Sequence, residues 1–340
     1  MNKTERNNWK RFLLKLISFV LILVVLDFAF GAILEYFYWN HNGDRYARHL
    51  QYTVKEADED LIIMGSSHAM RSINPAILEQ KTGIKSYNAA QAAQSILFHN
   101  ALLPVLLERH KPSIIVLELA AWELDYMPIH YDRLSFLLPY YKDYSEVRQT
   151  VDLRSRFENL KMLSRIYPYN SSILTILQNV LTGRENPPLG NGFDTHPTVM
   201  KIDPNEKIAI SDSAIAAGMN QQLRQDSLKL AALIDFCQTA NKQGTELIVV
   251  MTPKLKTLGI NSISLKNISK ILNAQNIPLL NYSRDPEFLQ HPEWFYDRSH
   301  LNTEGAEHFS HKLADTLKAL INKNSDYTIS QKMNETPDPG

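Results

Sequence analysis

The sequence predicts a three-layer α/β/α domain with a flavodoxin-like, five-stranded parallel sheet. From residue 60 onward, short apolar runs alternate with longer amphipathic segments, which is typical of βαβ units. The run at 114–119 (IIVLEL) is apolar enough for a strand that is buried on both faces. With 340 residues, the chain is long enough for one large domain with appendages.

Five predicted strands and five predicted helices define the domain, which we place at residues 60–322. The strands are 61–64, 85–87, 114–119, 246–251 and 278–281, and the helices are 75–82, 95–109, 222–242, 265–274 and 303–322. The alternation stops between about 123 and 213, which predicts an insertion rich in Tyr and Pro. Its aromatic side chains, such as Tyr126 and Tyr140, suit packing onto the domain, stacking on sugar rings or contact with a membrane partner. Residues 323–340 are polar and predict a disordered tail.

The N-terminal segment predicts a membrane anchor within residues 1–40, followed by a linker at 41–59. The 19 residues from Leu16 to Leu34 contain one ionisable group and match the thickness of a hydrocarbon layer. Because the apolar run continues into aromatic residues instead of a small-residue cleavage site, we expect an uncleaved helix. The ionisable group, Asp27, predicts either a contact with a membrane partner or a protonated or snorkelling side chain.

The charge distribution predicts the orientation of this anchor and excludes one class of partner. Five basic residues precede the span and only Arg45 and Arg48 occur in the 20 residues after it. We therefore expect an anchor in the cytoplasmic membrane, with the N-terminus in the cytoplasm and the rest of the chain on the extracytoplasmic side. Lys plus Arg and Asp plus Glu both total 36, so no basic field favours nucleic acid. The one cysteine, Cys237, lies in an amphipathic segment and is expected to be a core residue.

Two short motifs carry the candidate chemistry. Gly65-Ser66-Ser67 follows the first predicted strand, at the carboxyl edge of the sheet where open α/β folds bind ligands. Asp297 and His300 are separated by three positions just before the last predicted helix, for which Asn302 or Thr303 is the expected N-cap. At that spacing the carboxylate can orient the imidazole as a base for a serine hydroxyl.

These two motifs resemble the first and last blocks of the SGNH/GDSL hydrolase family, over roughly residues 60–320 apart from the insertion. The resemblance implies that Ser67 is the nucleophile, that Asp297 and His300 complete a triad, and that no cofactor or metal is needed. The tract from Phe295 to Gly305 is similar to the membrane-associated branches of the family. Those branches act in O-acetylation or D-alanylation of envelope polymers beside a multi-pass membrane acyltransferase, which is therefore an expected partner.

The middle blocks depart from the family pattern, and they supply the oxyanion hole. Ala93 stands where the family has a glycine, and Trp122 falls in the tract where an asparagine is expected. We therefore expect an oxyanion hole made from the N–H groups of Ser67 and Ala93 with Asn88 or Gln94. The incomplete pattern also leaves open a catalytically retired protein that binds glycan or the acyltransferase partner.

The sequence contains three alternatives to the triad. Gly65 to Ala69 approximates the Gly-x-Ser-x-Gly elbow of α/β-hydrolases, but those enzymes have strands before the serine. His68 adjoins Ser67, yet neighbouring side chains on a turn usually diverge, so a structural or substrate-contact role is expected. Glu304, His308 and His311 share one face of the last helix, where a solvated surface is favoured over a metal site. The expected function is ester hydrolysis or acyl transfer on an envelope glycan or related ester, through an acyl-serine.

Overall fold

The computed structural model describes residues 3–42, 44–184, 190–201, 224–255 and 263–334. The chain divides into two compact units. We call Met1–Arg48 with Tyr131–Pro187 the anchor unit, and His49–His130 with Pro188–Gly340 the catalytic unit. All three residues of the expected triad belong to the catalytic unit.

In the described residues, the catalytic unit contains one five-stranded parallel sheet. Its strands are β1 Leu61–Met64, β2 Ser86–Asn88, β3 Ile114–Glu118, β4 Glu246–Met251 and β5 Leu279–Asn281. They lie in the order β2-β1-β3-β4-β5, with all neighbours parallel. This order confirms the predicted flavodoxin-like sheet, in which the chain starts near the middle and winds outward in both directions.

Helices cover both faces of the sheet. In chain order, the α-helices of the two units, within the described residues, are α1 Lys3–Phe37, α2 Arg45–Lys55, α3 Ser67–Ser72, α4 Pro75–Thr82, α5 Ile96–Arg109, α6 Pro128–Asp132, α7 Ser145–Val151, α8 Glu158–Lys161, α9 Ile173–Thr182, α10 Ser227–Gln243, α11 Ile263–Ala274, α12 Pro286–Gln290 and α13 Thr303–Asn334. Helix α13 packs against α3 and α4, whereas α5 packs against α10. Strands β1 and β3 are accordingly buried along their whole length, as the apolar runs predicted.

Most predicted bounds lie within two residues of the observed ones, but α3 was missed. The sequence predicted only a turn after β1, because a helix of six residues is too short to show an apolar period. The predicted start of the helix at 222 is also wrong. In the structure α10 begins at Ser227, where the Asp226 carboxylate accepts hydrogen bonds from the N–H groups of Leu228 and Lys229. Residues 222 and 223 lie outside the described residues.

Two predicted segments without secondary structure are helical in the structure. The linker at 41–59 contains α2, because its spacing of apolar residues buries Leu50 and Val54. The predicted disordered tail is helical from 323 to 334, since no Gly or Pro interrupts the sequence between Gly305 and Pro337. Residues 335–340 lie outside the described residues.

The insertion at about 123–213 does not form one body. Residues 131–187 belong to the anchor unit, whereas 190–201 belong to the catalytic unit. There the Asn88 N–H donates to the Asn191 carbonyl at 2.9 Å and the Asp194 N–H donates to the Met70 carbonyl at 3.1 Å. Residues 202–213 of the predicted insertion lie outside the described part of the chain.

The anchor unit contains the long apolar helix that the sequence predicted. The helical segment Thr4–Asn40, which overlaps α1 from Thr4 to Phe37, is long and apolar enough to span a membrane. Asp27 on this helix accepts hydrogen bonds from the Ser164 hydroxyl at 2.5 Å and the Arg165 N–H at 2.7 Å. Arg165 also pairs with Glu35, at 2.8 Å. The carboxylate of Asp27 therefore has partners within its own chain, which neither sequence alternative anticipated.

Candidate active site

Ser67 is presented by the sharp turn between β1 and α3. Gly65 has a φ of +146°, and a Cβ atom there would lie 2.8 Å from the Cβ of Glu118, so the turn requires glycine. Ser66 is the N-cap of α3, and its hydroxyl accepts a hydrogen bond from the His68 N–H at 3.3 Å. Ser67 is therefore the first residue of α3, and its side chain projects at the carboxyl edge of the sheet.

Asp297 and His300 are positioned by a tight turn before α13. The Asp297 carboxylate accepts hydrogen bonds from the N–H groups of Ser299 and His300, at 2.7 and 2.9 Å. The same carboxylate lies 2.9 Å from Nδ1 of His300. Asn302 follows as the N-cap, with its side-chain oxygen accepting from the Gly305 N–H at 3.0 Å. One carboxylate thus holds both the backbone and the ring of His300.

The structure brings the three predicted residues together. Nε2 of His300 lies 2.8 Å from Oγ of Ser67, although the two residues are 233 positions apart in the sequence. With a proton on Nδ1 bonded to Asp297, Nε2 accepts the hydroxyl proton of Ser67, which is the arrangement of an activated nucleophile. Burial lowers the pKa of His300 below its ordinary 6.5, against the opposing influence of Asp297. His300 is therefore neutral, and able to accept a proton, over a wider pH range.

The surroundings of Asp297 favour the ionised form of its carboxyl group. Burial alone would raise the pKa of this carboxyl, but the hydrogen bonds from Ser299 and His300 hold it below its ordinary 3.8. An ionised Asp297 fixes the tautomer of His300 and stabilises the imidazolium that forms when His300 takes a proton.

A second imidazole, that of His68, lies against the triad. Its ring stacks on His300 with centroids 4.8 Å apart, and its Nδ1 lies 2.9 Å from the hydroxyl of Ser66. That hydroxyl donates to Glu118 at 3.0 Å, so Ser66 joins the ring of His68 to a buried carboxylate. Burial, and then the charge of Lys254, lower the pKa of His68 well below 6.5. His68 is thus a neutral ring that lines the site, and His300 is the imidazole within hydrogen-bond distance of Ser67.

Glu118 and Lys254 form a buried charge pair behind this ring. Glu118 ends β3 and Lys254 follows β4, and their charged atoms lie 3.7 Å apart. The Lys254 ammonium also lies 3.4 Å from Nδ1 of His68 and 4.6 Å from the centre of the Trp122 ring. Burial lowers the pKa of Lys254 from 10.5, while Glu118 opposes that shift. Both charges are held beside the residues that position Ser67.

Sequence reasoning missed this charge pair. A signal was present, because Glu118 interrupts an apolar strand at its carboxyl end and Lys254 follows the next strand of the sheet almost at once. Charged residues at the carboxyl ends of neighbouring parallel strands meet at the edge where ligands bind. Glu118 and Lys254 thus share with Ser67 a position at the carboxyl end of a strand, which is the signal that predicts a role at this edge.

The residues predicted for the oxyanion hole differ from one another in burial and in hydrogen bonding. Ala93 is exposed and has a φ of +60°, a left-handed conformation that suits the glycine expected there. Asn88 was predicted wrongly, because its amide donates to the carbonyls of Ala69 and Ile73 at 2.9 and 2.8 Å. The amide oxygen of Asn88 accepts from the Ala90 N–H, so the buried side chain holds the loop together. Gln94, the residue after Ala93, is buried.

The polar face of α13 is not arranged as a metal site. His308 stacks on Trp294, with ring centroids 4.1 Å apart, and Trp294 donates to Glu304 at 3.3 Å. Among the described residues, no group of three or more His, Cys, Asp or Glu side chains is placed to hold a metal ion. Cys237 is buried in α10, as the sequence predicted.

The chain was compared with known families, curated proteins and solved structures. No family model and no curated protein matches it. Two similar solved structures are the psychrotrophic esterase EstA from Pseudoalteromonas sp., inhibited by monoethylphosphonate, and TesA. EstA is 11% identical with a TM-score of 0.39, and the match covers 77% of this chain and 99% of EstA. TesA is 12% identical with a TM-score of 0.36, and the match covers 76% of this chain and 98% of TesA.

Proposed function

We propose that this protein cleaves or transfers acyl esters through an acyl-serine at Ser67. The observation that carries the proposal is the 2.8 Å contact between Ser67 Oγ and His300 Nε2, with Asp297 on the other ring nitrogen. His300 takes the hydroxyl proton while Oγ attacks the ester carbonyl carbon. The ester C–O bond then breaks, and His300 gives its proton to the departing oxygen. Water or a sugar hydroxyl next attacks the acyl-serine while His300 takes its proton. The bond between the acyl carbon and Oγ then breaks, and His300 returns the proton to Ser67.

The developing oxyanion needs donors at the carboxyl edge of the sheet. Ser67 is the first residue of α3, where a backbone N–H has no partner within the helix. This N–H and that of Ala93 are the proposed donors, and Gln94 is the proposed third. Losing one donor of such a site typically slows the reaction by about 10²–10³. Because Trp122 occupies the tract where the resemblance expects an asparagine, we expect a slow enzyme.

The proposed substrate is an ester on an envelope glycan or a related polymer. The apolar helix α1 supports a membrane location, and the basic residues before it favour an extracytoplasmic catalytic unit. Acyl transfer to a glycan, beside a multi-pass membrane acyltransferase, is our first proposal, and hydrolysis is the second. The triad supports both, because they differ only in whether water or a sugar hydroxyl accepts the acyl group.

A fluorophosphonate probe on the full-length protein in detergent tests the acyl-serine proposal. We expect the probe on the peptide that contains Ser67 and no labelling of Ser67→Ala. Ser66→Ala is the matched control for the adjacent hydroxyl and should keep its label on Ser67. Ser283→Ala, a serine that follows β5, should label like the unchanged protein. Absence of label on a folded protein would overturn the proposal.

A second candidate is a catalytically retired protein that binds glycan or the acyltransferase partner. It is favoured by Trp122, whose ring packs against Lys254 and His68 in the tract where the resemblance expects an amide. The two candidates are separated by the acetyl content of envelope polysaccharide in cells that carry either the unchanged protein or Ser67→Ala. Loss of acetyl groups in the variant supports transfer, a gain supports hydrolysis, and no change with no probe labelling supports retirement.

A further inference from the structure

The anchor unit has an apolar surface of unusual exposure, formed by the segment 157–163 and helix α9. The side chains of Leu160 and Leu163 are 61% and 71% exposed, and those of Leu174 and Leu181 are 81% and 84% exposed. In α9 the exposed face is the apolar one, because Leu174, Leu177 and Leu181 recur at helical spacing. Water-exposed helices normally show the opposite pattern, so this surface needs an occupant.

The contacts of Asp27 place this surface at membrane depth. Asp27 lies seven positions before the end of the apolar stretch at Leu34, which is about 10 Å inside it at the rise of an α-helix. Because Ser164 and Arg165 bind the Asp27 carboxylate directly, the backbone next to Leu163 lies at the same depth. Helix α9 also packs against α1 within this unit. If α1 spans a bilayer, these segments lie below its aqueous boundary.

The backbone of this segment is suited to that depth. A bilayer tolerates a non-helical segment only where its polar groups are satisfied by the protein. The N–H groups of Lys161, Met162, Leu163 and Ser164 donate to carbonyls three or four positions earlier. The N–H of Arg165 donates to Asp27, and that of Tyr167 donates to the Ser164 hydroxyl. The exposed leucines therefore cover a turn whose donors are already paired.

The charged residues of the segment are paired as well. Glu158 is buried, and it binds Arg154 at 3.1 Å and Lys161 at 2.8 Å. Arg165 pairs with Glu35 of α1 at 2.8 Å. Cations on long side chains can reach the headgroup region while their apolar stems remain in lipid.

We propose that residues 157–163 and α9 insert into the leaflet that contains the carboxyl-terminal half of α1, with lipid acyl chains covering the exposed leucines. The anchor unit is then a partly embedded body, and α1 is not a simple tether. The continuity of the surface with α1, through Asp27 and Arg165, favours lipid over a second copy of the chain or another protein as the occupant. The proposal rests on α1 spanning the bilayer and is independent of catalysis.

Spin labels on the full chain in phospholipid nanodiscs test the insertion. Single cysteines replace Leu163 and Leu181, the two test positions. Two further variants carry a cysteine at Gln149 of α7, as the matched exposed polar control, and at Val24 of α1, as the reference for the span. Cys237 is buried, so the unchanged chain serves as the labelling blank. Accessibility of each label is measured to oxygen, which partitions into lipid, and to a water-soluble nickel chelate.

We expect the labels at 163 and 181 to behave like the label at 24, with high oxygen access and a loss of nickel access relative to the label at 149. If the labels at 163 and 181 are as accessible to the nickel chelate as the label at 149, while the label at 24 is exposed to lipid, the insertion is wrong and the span of α1 stands. Low access of both reagents at 163 and 181 means that protein covers the surface, and this also overturns the lipid proposal. If the label at 24 is accessible to the nickel chelate, α1 does not span the bilayer, and both the span and the insertion are contradicted.

Discussion

The imidazole of His68 stacks on that of His300, with ring centroids 4.8 Å apart and an angle of 19° between the planes. His300 also lies within hydrogen-bond distance of Ser67, whereas His68 binds the hydroxyl of Ser66. The two adjacent serines are therefore in contact with different histidines. One pair is arranged for proton transfer, and the other joins the turn to the buried charges of Glu118 and Lys254.

The pH dependence of ester cleavage should reflect the lowered pKa of His300. Burial favours the neutral ring, and a neutral ring is needed to accept the proton of Ser67. We expect kcat/KM for an activated ester to be constant at neutral pH and to fall on acidification, with a midpoint below pH 6.5. The assay is a pH series of initial rates. A midpoint above 6.5 would contradict the assignment of His300 as a desolvated base.

Removing the charge of Asp297 should impair catalysis without unfolding the protein. Asp297→Asn keeps the side chain's size but no longer fixes the tautomer of His300, and in other serine enzymes such a change lowers kcat by about 10⁴. The measurement is the steady-state rate with an activated ester, together with circular dichroism. Asp315→Asn, an exposed carboxylate paired with Lys81, is the control and should leave the rate unchanged. Equal rates in the two variants would rule out Asp297 as the orienting carboxylate.

Lys254→Met should shift the pH profile towards higher pH. The ammonium of Lys254 repels a proton on His300, so its removal raises the pKa of His300 and the rate begins to fall at a higher pH. The control is Lys81→Met on the surface, for which no shift is expected. An unchanged midpoint in a folded Lys254→Met protein would show that this charge does not influence the base.

The same substitution should also lower stability, because Glu118 loses its cation inside the protein. Breaking a buried pair from one side typically costs about 3–5 kcal/mol, whereas neutralising both members is often nearly neutral. Urea unfolding should therefore rank Lys254→Met below the double variant Lys254→Met/Glu118→Gln. If the double variant is the less stable of the two, the contact between these side chains is not an ion pair.

Gly65→Ala should destabilise the catalytic unit more than Gly83→Ala. Both glycines have a left-handed φ, but a Cβ at 65 meets Glu118 at 2.8 Å whereas a Cβ at 83 meets open space. The strained backbone alone costs about 1–2 kcal/mol at either position, and the collision adds to that cost at 65. Urea unfolding of the two variants measures the difference. Equal losses would mean that the turn before Ser67 can relax.

The parallel sheet could be predicted because each strand carries its own signal. Strands β1 (LIIM) and β4 (ELIVVM) are short, mainly apolar runs that are followed by helix signals. Both were predicted with the observed bounds. Helix α3 gave no such signal, since its six residues form a helix only because Ser66 caps them and Gly65 permits the turn. The continuation of α13 to Asn334 was not predicted, because the polar composition of these residues favours disorder.

The candidate site was predictable only in part. Asp297 and His300 are close in sequence, so a local motif was enough to predict their contact, and Ser67 followed from its place after β1. The roles of Asn88 and Lys254 depend on neighbours that are distant in sequence, such as Ile73 for the first and Glu118 for the second. Side chains at the ends of different strands take their partners from the sheet order, which the spacing of residues along the chain does not reveal.

The most direct test of the account is the position of an acyl group after reaction with an activated acetyl ester. The full-length protein is mixed with p-nitrophenyl acetate, quenched in acid during the first turnovers, digested and mapped by mass spectrometry. The account predicts one acetyl group on Ser67 in the unchanged protein and none on that residue in His300→Ala. Acetylation of another residue, or none on a folded protein that still releases p-nitrophenol, would contradict it.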